Sequence, residues 1–337
     1  AAVSVSPAAR PEFRLVDGRV VHLRIAGAGP PVVLMHDSPR SSLMLQPLIE
    51  GLRDDFTVVA LDTPGFGESE PLPQGAPTIE DLAAALHATL DALGLDRFAL
   101  YGSHTSAKIA LDFATRWPGR VGGMVLDGLS LAAPAAQRAL LEGSYLKGFK
   151  PADDGAHLVG LWLKMRDQFR FFPWHDRSLR TRLDWPMPSP EVLQRYLMDL
   201  LFAGPDFGRT YGAALRHDPA PLLPRLAVPT DIVCRVDDVL QVYLDRLPRL
   251  PDGCRVERLP ADDARWRHEV CARLGQHAQR LPAARIRPAS VGGAARTPAG
   301  AALAVRPCGG VPLFPRPEGT SVADALAAEP CRGPVPV

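Results

Sequence analysis

Cysteine is scarce in this chain, with five in 337 residues (Cys234, Cys254, Cys271, Cys308 and Cys331). They make neither a CxxC pair nor an even set, so no disulfide framework and no metal site is expected. An excess of positive charge is also lacking, since 38 Lys+Arg stand against 37 Asp+Glu for a net charge of +1. Without a basic stripe the chain has no electrostatic footprint for nucleic acid, which is excluded as an expected partner. No apolar run approaches the roughly 18 residues that a bilayer span requires, and no membrane partner is expected. Residues 1–11 lack the charged-then-apolar pattern of a signal peptide, which makes the cytoplasm the expected location. What is present is ordinary globular usage, 46% hydrophobic and 22% charged, in a chain long enough for one α/β domain with an insertion.

From residue 12 to about 128, short β-rich runs alternate with amphipathic helical stretches, the pattern of a mostly parallel sheet flanked by helices. Strands are expected over 19–25, 31–36, 56–63, 98–102 and 121–127, the second almost wholly apolar as a strand covered on both faces should be. Thr78 with Asp81 three residues on is a helix-start signal, Ile79, Leu82, Leu86, Leu90 and Leu93 recur at helical spacing, and Gly94 is the stop. Residues 131–226 have helical periodicity, many aromatics and no strand pair, and read as a helical insertion. Strands resume over 230–236 and 254–259, with helices near 241–250 and 265–281. The resulting division is 12–130 and 227–281 for the core, 131–226 for the insertion, and an Ala/Pro/Gly-rich tail over 282–337. Within that tail Arg296, Gly300, Arg306 and Gly309 repeat Arg14, Gly18, Arg24 and Gly27 at a constant offset, either a decayed repeat or a coincidence of biased composition.

Five stretches in order, VVLMHDSPRSS (32–42), VVALDTPGFGESEP (58–71), YGSHTSAKIALDFATRWPGRV (101–121), MVLDG (124–128) and VPTDIVCRVDDVL (228–240), resemble the α/β-hydrolase superfamily. The likeness is to the branch of epoxide hydrolases, haloalkane dehalogenases, esterases and carbon–carbon bond hydrolases. It implies a mostly parallel eight-stranded sheet flanked by helices, with 131–226 as a cap over the strand tips, and no cofactor. In this family a G-x-S-x-G turn exposes a nucleophile at a strand tip; in register, that turn reads Gly102, Ser103, His104, Thr105, Ser106, so His104 stands at the nucleophile position. The family's oxyanion donors map onto the backbone of Thr105 and Ser38, while its His-Gly dipeptide reads His36-Asp37, a carboxylate beside the hole unless Arg40 draws it aside. The family's acid maps onto Asp238, with Asp127 as the alternative. Its histidine base falls on Ala264, and His268, one helical turn later, is expected to face solvent.

Without a hydroxyl at the apex or an imidazole beside it, the Ser/His/Asp relay cannot operate. At a helix N-terminus the macrodipole favours a neutral imidazole, so His104 is expected to serve as a base or hydrogen-bonding group, oriented by Asp238 or Asp127. His36, Asp37 and the cap residues Trp162, Phe172, Trp174 and His175 are the expected substrate contacts, implying a small apolar or aromatic organic partner. Three readings stay open: a hydrolase by ancestry with non-standard catalytic residues, a binding protein without turnover, and a His-based lyase or isomerase. Nothing in the sequence indicates an oligomeric state.

Overall fold

The computed structural model describes residues 9–288. The tail over 289–337, with the possible repeat at Arg296 to Gly309, lies outside the described residues. Eight strands form one sheet in the order β1-β2-β4-β3-β5-β6-β7-β8: β1 (Arg10–Val16), β2 (Arg19–Ala26), β3 (Pro31–Met35), β4 (Thr57–Leu61), β5 (Phe98–Ser103), β6 (Val121–Asp127), β7 (Thr230–Arg235) and β8 (Cys254–Leu259). β2 runs antiparallel to β1 and β4, and all other neighbours are parallel. The sequence reading omitted β1, an edge strand whose charged Arg10, Glu12 and Arg14 interrupt its apolar pattern. It is joined to β2 by Asp17 and Gly18, both at positive φ (50° and 75°), as a tight hairpin demands.

Alternate residues of the central strands enter separate cores on the two faces. Val33 and Met35 of β3, Val59 and Leu61 of β4, and Phe98 and Leu100 of β5 join α2 (Ile79–Leu93) and α3 (Thr105–Arg116). Val32, Leu34, Val58, Ala60, Ala99 and Tyr101 join α1 (Gln46–Leu52) and α8 (Asp263–Ala278). This period of two is why those strands read as unbroken apolar runs. The Thr78 cap forms as a full capping box with Asp81, and Gly94 closes α2 at φ 72°. The helix expected near 241–250 is instead a 3-10 stretch, Val239–Arg246, halted before Pro248, which cannot continue a helix.

Four cap helices lie between β6 and β7: α4 (Ala135–Tyr145), α5 (Ala156–Gln168), α6 (Pro190–Ala203) and α7 (Gly208–Arg216). Among the described residues no helix is long and apolar enough to cross a membrane. Beyond α8 the chain stays on the core past the expected break at 282: Ala284 N–H donates to Gly29 O (2.8 Å), Arg287 N–H to Leu93 O (2.9 Å), and Ala284 and Ile286 pack against the apolar cluster. A chain ending at Pro288 is therefore expected to unfold several degrees above one ending at Leu281, as read by circular dichroism melting. Equal midpoints would show that these contacts contribute nothing.

The sheet order reverses beside β3, where β4 lies on one side and β5 on the other. The crevice at the carboxyl ends of the strands around such a reversal is where ligands of open α/β sheets bind.

Candidate active site

His104 follows β5 and caps α3 at φ 48°, ψ −105°. A non-glycine residue in that region is strained, and such strain gathers at functional turns. The flanking residues make the turn possible. A Cβ on Gly102 would meet Ser106 O at 2.3 Å, and one on Gly128 would meet the His104 ring at 2.3 Å, so backbone passes close on one side and imidazole on the other. Ser106, at the family's last glycine position, is fully buried and its hydroxyl donates to His36 O, tying α3 to the loop after β3. Ser103 is the last residue of β5, pairs with Asp127 in the sheet register and stands one position before the turn residue His104.

Asp238 is held from two sides. Asp238 Oδ2 is 2.7 Å from His104 Nε2, and its Oδ1 accepts the Leu240 N–H at 2.8 Å, capping the 3-10 stretch. Burial favours the neutral form of Asp238, but the His104 charge and these hydrogen bonds outweigh it and hold the carboxyl below its usual value. Burial likewise opposes charge on His104. Asp238, then Asp37 and Asp127, overcome it and raise the imidazole to about 9. This runs against the expectation from the helix dipole: a carboxylate in direct contact outweighs the partial charge of a helix end and favours the charged imidazole. No partner of its Nδ1 is found among the described residues.

Asp127 is the second carboxylate beneath His104. Its Oδ2 accepts from Tyr101 Oη (3.0 Å) and Trp266 Nε1 (2.9 Å), and burial raises it to about 6. Trp266, one turn into α8, thus occupies the side of Asp127 open toward the last helix. Ala264 and His268 on α8 are both exposed. Asp37 Oδ1 is buried without a hydrogen-bond partner, and burial raises its pKa against the opposing charges of Arg40, His104 and His36. Arg40 does not draw it aside: its guanidinium bonds Asp199 on α6 (2.5 Å) and stacks 3.7 Å over Tyr196. The Thr105 amide opens α3, whose first N–H groups have no acceptor within the helix, while Ser38 belongs to the loop after β3.

Above His104 lies a cavity of about 400 Å³ between the strand tips and the cap, with Thr105, Tyr145, Phe172, Tyr211 and Tyr243 among its walls. Of the expected substrate contacts, Phe172 is in this wall. Trp162 packs in the cap's own core with Phe66, Leu161 and Phe207. Trp174 is half-buried beneath Lys164, whose Nζ is 5.2 Å from its ring, and His175 is exposed at its edge. His36 is 1% exposed, with Nδ1 donating to Asp37 O (2.6 Å) and Nε2 accepting the Thr63 N–H (2.9 Å); it braces the loop and is not in the cavity wall. Aromatic density in the cap therefore marks mostly the cap's own packing. Sequence reasoning missed Trp266, Tyr101 and Lys108, which local patterns mark only as core-face helix or strand positions.

A family model described as "alpha/beta hydrolase fold" matches residues 30–149. Haloalkane dehalogenase 2 of Mycobacterium tuberculosis is 36% identical over 106 residues, 32% of this chain and 37% of that protein. An uncharacterized hydrolase of Saccharomyces cerevisiae is 32% identical over 116 residues, 34% of this chain and 40% of that one. The matches thus span about two fifths of the length of these curated relatives. In three dimensions a hydrolase from Pseudomonas aeruginosa superposes with TM-score 0.60 at 20% identity, over 80% of this chain and 99% of that one. An epoxide hydrolase from Vigna radiata gives TM-score 0.60 at 18% identity, over 81% and 98%. By its sheet order, elbow and cap the chain has the α/β-hydrolase fold, and in sequence residues 30–149 match that family's model.

Proposed function

We propose that the protein is an α/β-hydrolase-fold enzyme for a small, largely apolar organic compound, and that its chemistry runs through His104 as an ion-paired acid. The observation that carries this is the placement of His104 at the strained elbow with Nε2 committed to Asp238 at 2.7 Å. A protonated imidazole so held has no free lone pair for attack. It offers one donor, Nδ1–H, on the side away from Asp238. A substrate oxygen bound there would take this hydrogen bond, and in the transition state the proton, with the Thr105 and Ser38 amides sharing the negative charge that develops. Water or a group of the substrate itself supplies the electron pair, and the proton returns to Nδ1 on release. The reaction class is hydrolysis or elimination assisted by an acid, in place of acyl transfer to a side chain. The likeness to a haloalkane dehalogenase and the aromatic cavity wall support a small organic substrate.

A second reading, binding without turnover, is favoured by one observation: Asp127 Oδ2 is taken up by the Trp266 indole and the Tyr101 hydroxyl, and among the described residues no histidine stands beside it on α8. Both readings exclude a serine nucleophile, so a fluorophosphonate probe is expected to leave the protein unlabelled and activated esters to be hydrolysed no faster than by His104→Ala. Stoichiometric labelling would overturn both. A panel of epoxides, haloalkanes and enol ethers separates the two, because turnover that is lost in His104→Ala supports the enzyme and binding without turnover supports its rival.

A further inference from the structure

We propose that the cavity accepts an anion: a small aromatic or aliphatic acid whose carboxylate docks on Lys108 while its apolar body lies on the cap aromatics. This deepens the reading above and rests on its claim that the covered cavity is the binding site. Lys108 lies in the first turn of α3, four positions after His104, and both side chains line the cavity.

Lys108 is 3% exposed. Its Nζ donates to Ala214 O at 2.8 Å and His217 O at 3.0 Å, at the carboxyl end of α7. An ammonium has three N–H donors, and no acceptor for the third is found among the described residues. Nor has Lys108 an ion-pair partner there; the nearest compensating charge is the indirect influence of Asp218. A buried cation held only by carbonyl dipoles is unfavourable by itself, and a carboxylate arriving from the cavity would complete both its charge and its hydrogen bonding.

The rest of the wall agrees in sign. Arg138 on α4 and Arg246 at the end of the 3-10 stretch line the same cavity, and no Asp or Glu does. Neither arginine has an ion-pair partner among the described residues, Arg246 being 5.8 Å from the Tyr243 ring. Asp238, which is paired with His104, is not in the wall. Cations over an apolar surface with no competing anion select an amphipathic acid over a neutral or cationic compound of the same shape.

The test is calorimetric titration of the full chain with 4-phenylbutyrate, 4-phenylbutanamide and 4-phenylbutylammonium, which share one ring and one spacer. The acid is expected to bind about ten-fold or more tightly than the amide, its advantage shrinking with added salt, and the ammonium is expected not to bind measurably. Lys108→Met should abolish most of the advantage and leave the amide affinity in place. Should Lys108→Met fail to fold because α7 loses its cap, the surface pair Arg138→Gln/Arg246→Gln is expected to reduce the same preference several-fold. Acid and amide binding alike, or a preference that survives in the folded variants, would overturn the anion site and leave the cavity as a neutral binding site. Failure of all three probes to bind would overturn both the anion site and the cavity reading beneath it.

Discussion

Asparagine in place of Asp238 is expected to bring the His104 titration down from about 9 to the ordinary histidine value of 6.5 or below. Burial by itself disfavours the imidazolium, and the Asp238 charge is the largest influence raising it, followed by the Asp238 hydrogen bond. Asparagine keeps the size and an acceptor oxygen but removes the charge, so the sign of the balance should reverse. The folded-state value lies above the unfolded one, so the stability it contributes is fully present below pH 6.5 and is lost as pH rises through about 9. The unmodified protein should therefore lose stability from about pH 7 upward, and Asp238→Asn should lack that slope. Imidazole resonances followed by NMR give the titration, and urea unfolding across pH gives the slope. An asparagine variant still titrating near 9 would mean that Asp37 and Asp127 hold the charge, and the acid proposed for catalysis would no longer depend on Asp238.

The largest loss of stability is expected at Asp199, far from the elbow in sequence but central to the attachment of the cap. Its carboxylate, on α6, accepts from Arg40 Nε at 2.5 Å and from Ser41 Oγ at 2.7 Å, and the side chains of Arg40 and Asp199 are 12% and 8% exposed. Both core partners belong to the loop after β3, the loop that carries Ser38. Asp199→Ala removes the hydrogen-bonded partner of the buried Arg40 guanidinium and leaves the Asp37 charge as its nearby compensation; breaking a buried pair typically costs about 3–5 kcal/mol. That is a large fraction of the roughly 5–15 kcal/mol by which folded domains are stable. Tyr196 retains its stacking on Arg40 and should soften the loss only partly. Asp199→Asn, which keeps an acceptor for Ser41, should lose less than the alanine variant. Chemical denaturation of the two variants measures the difference, and limited proteolysis of the cap reports whether α6 has detached. A loss below about 1 kcal/mol for the alanine variant would place this pair among solvent-screened ion pairs and remove it as the cap's anchor.

The interior of the sheet was legible because its strands are covered on both faces. Val32, Val33 and Leu34 of β3, all 0% exposed, form an apolar run that only a central strand accommodates. The α2 helix was legible for a different reason, its Thr78 cap and Gly94 stop being local chemistry that needs no distant partner. β1 was illegible because an edge strand satisfies its backbone on one side and tolerates charge on the other. The 3-10 stretch after Asp238 was read as a helix because periodicity over eight residues does not separate the two geometries.

The sequence, through its resemblance to a known family, determined where the turn is expected, since aligning Gly102 and the helix after it with that family's motif puts His104 at the apex. It also placed Asp238 after β7. The tertiary structure decided what those residues are. His104 and Asp238 are 134 positions apart, and the charge state of the histidine depends on their 2.7 Å contact, which outweighs the helix end that local reasoning weighed alone. Trp266 meets Asp127 across 139 positions, and Lys108 reaches carbonyls more than 100 positions away. Charge, burial and hydrogen bonding at a site are pairwise properties that fall off within a few ångströms. A one-dimensional pattern records which groups are present, and only the folded chain sets the distances that give them their chemistry.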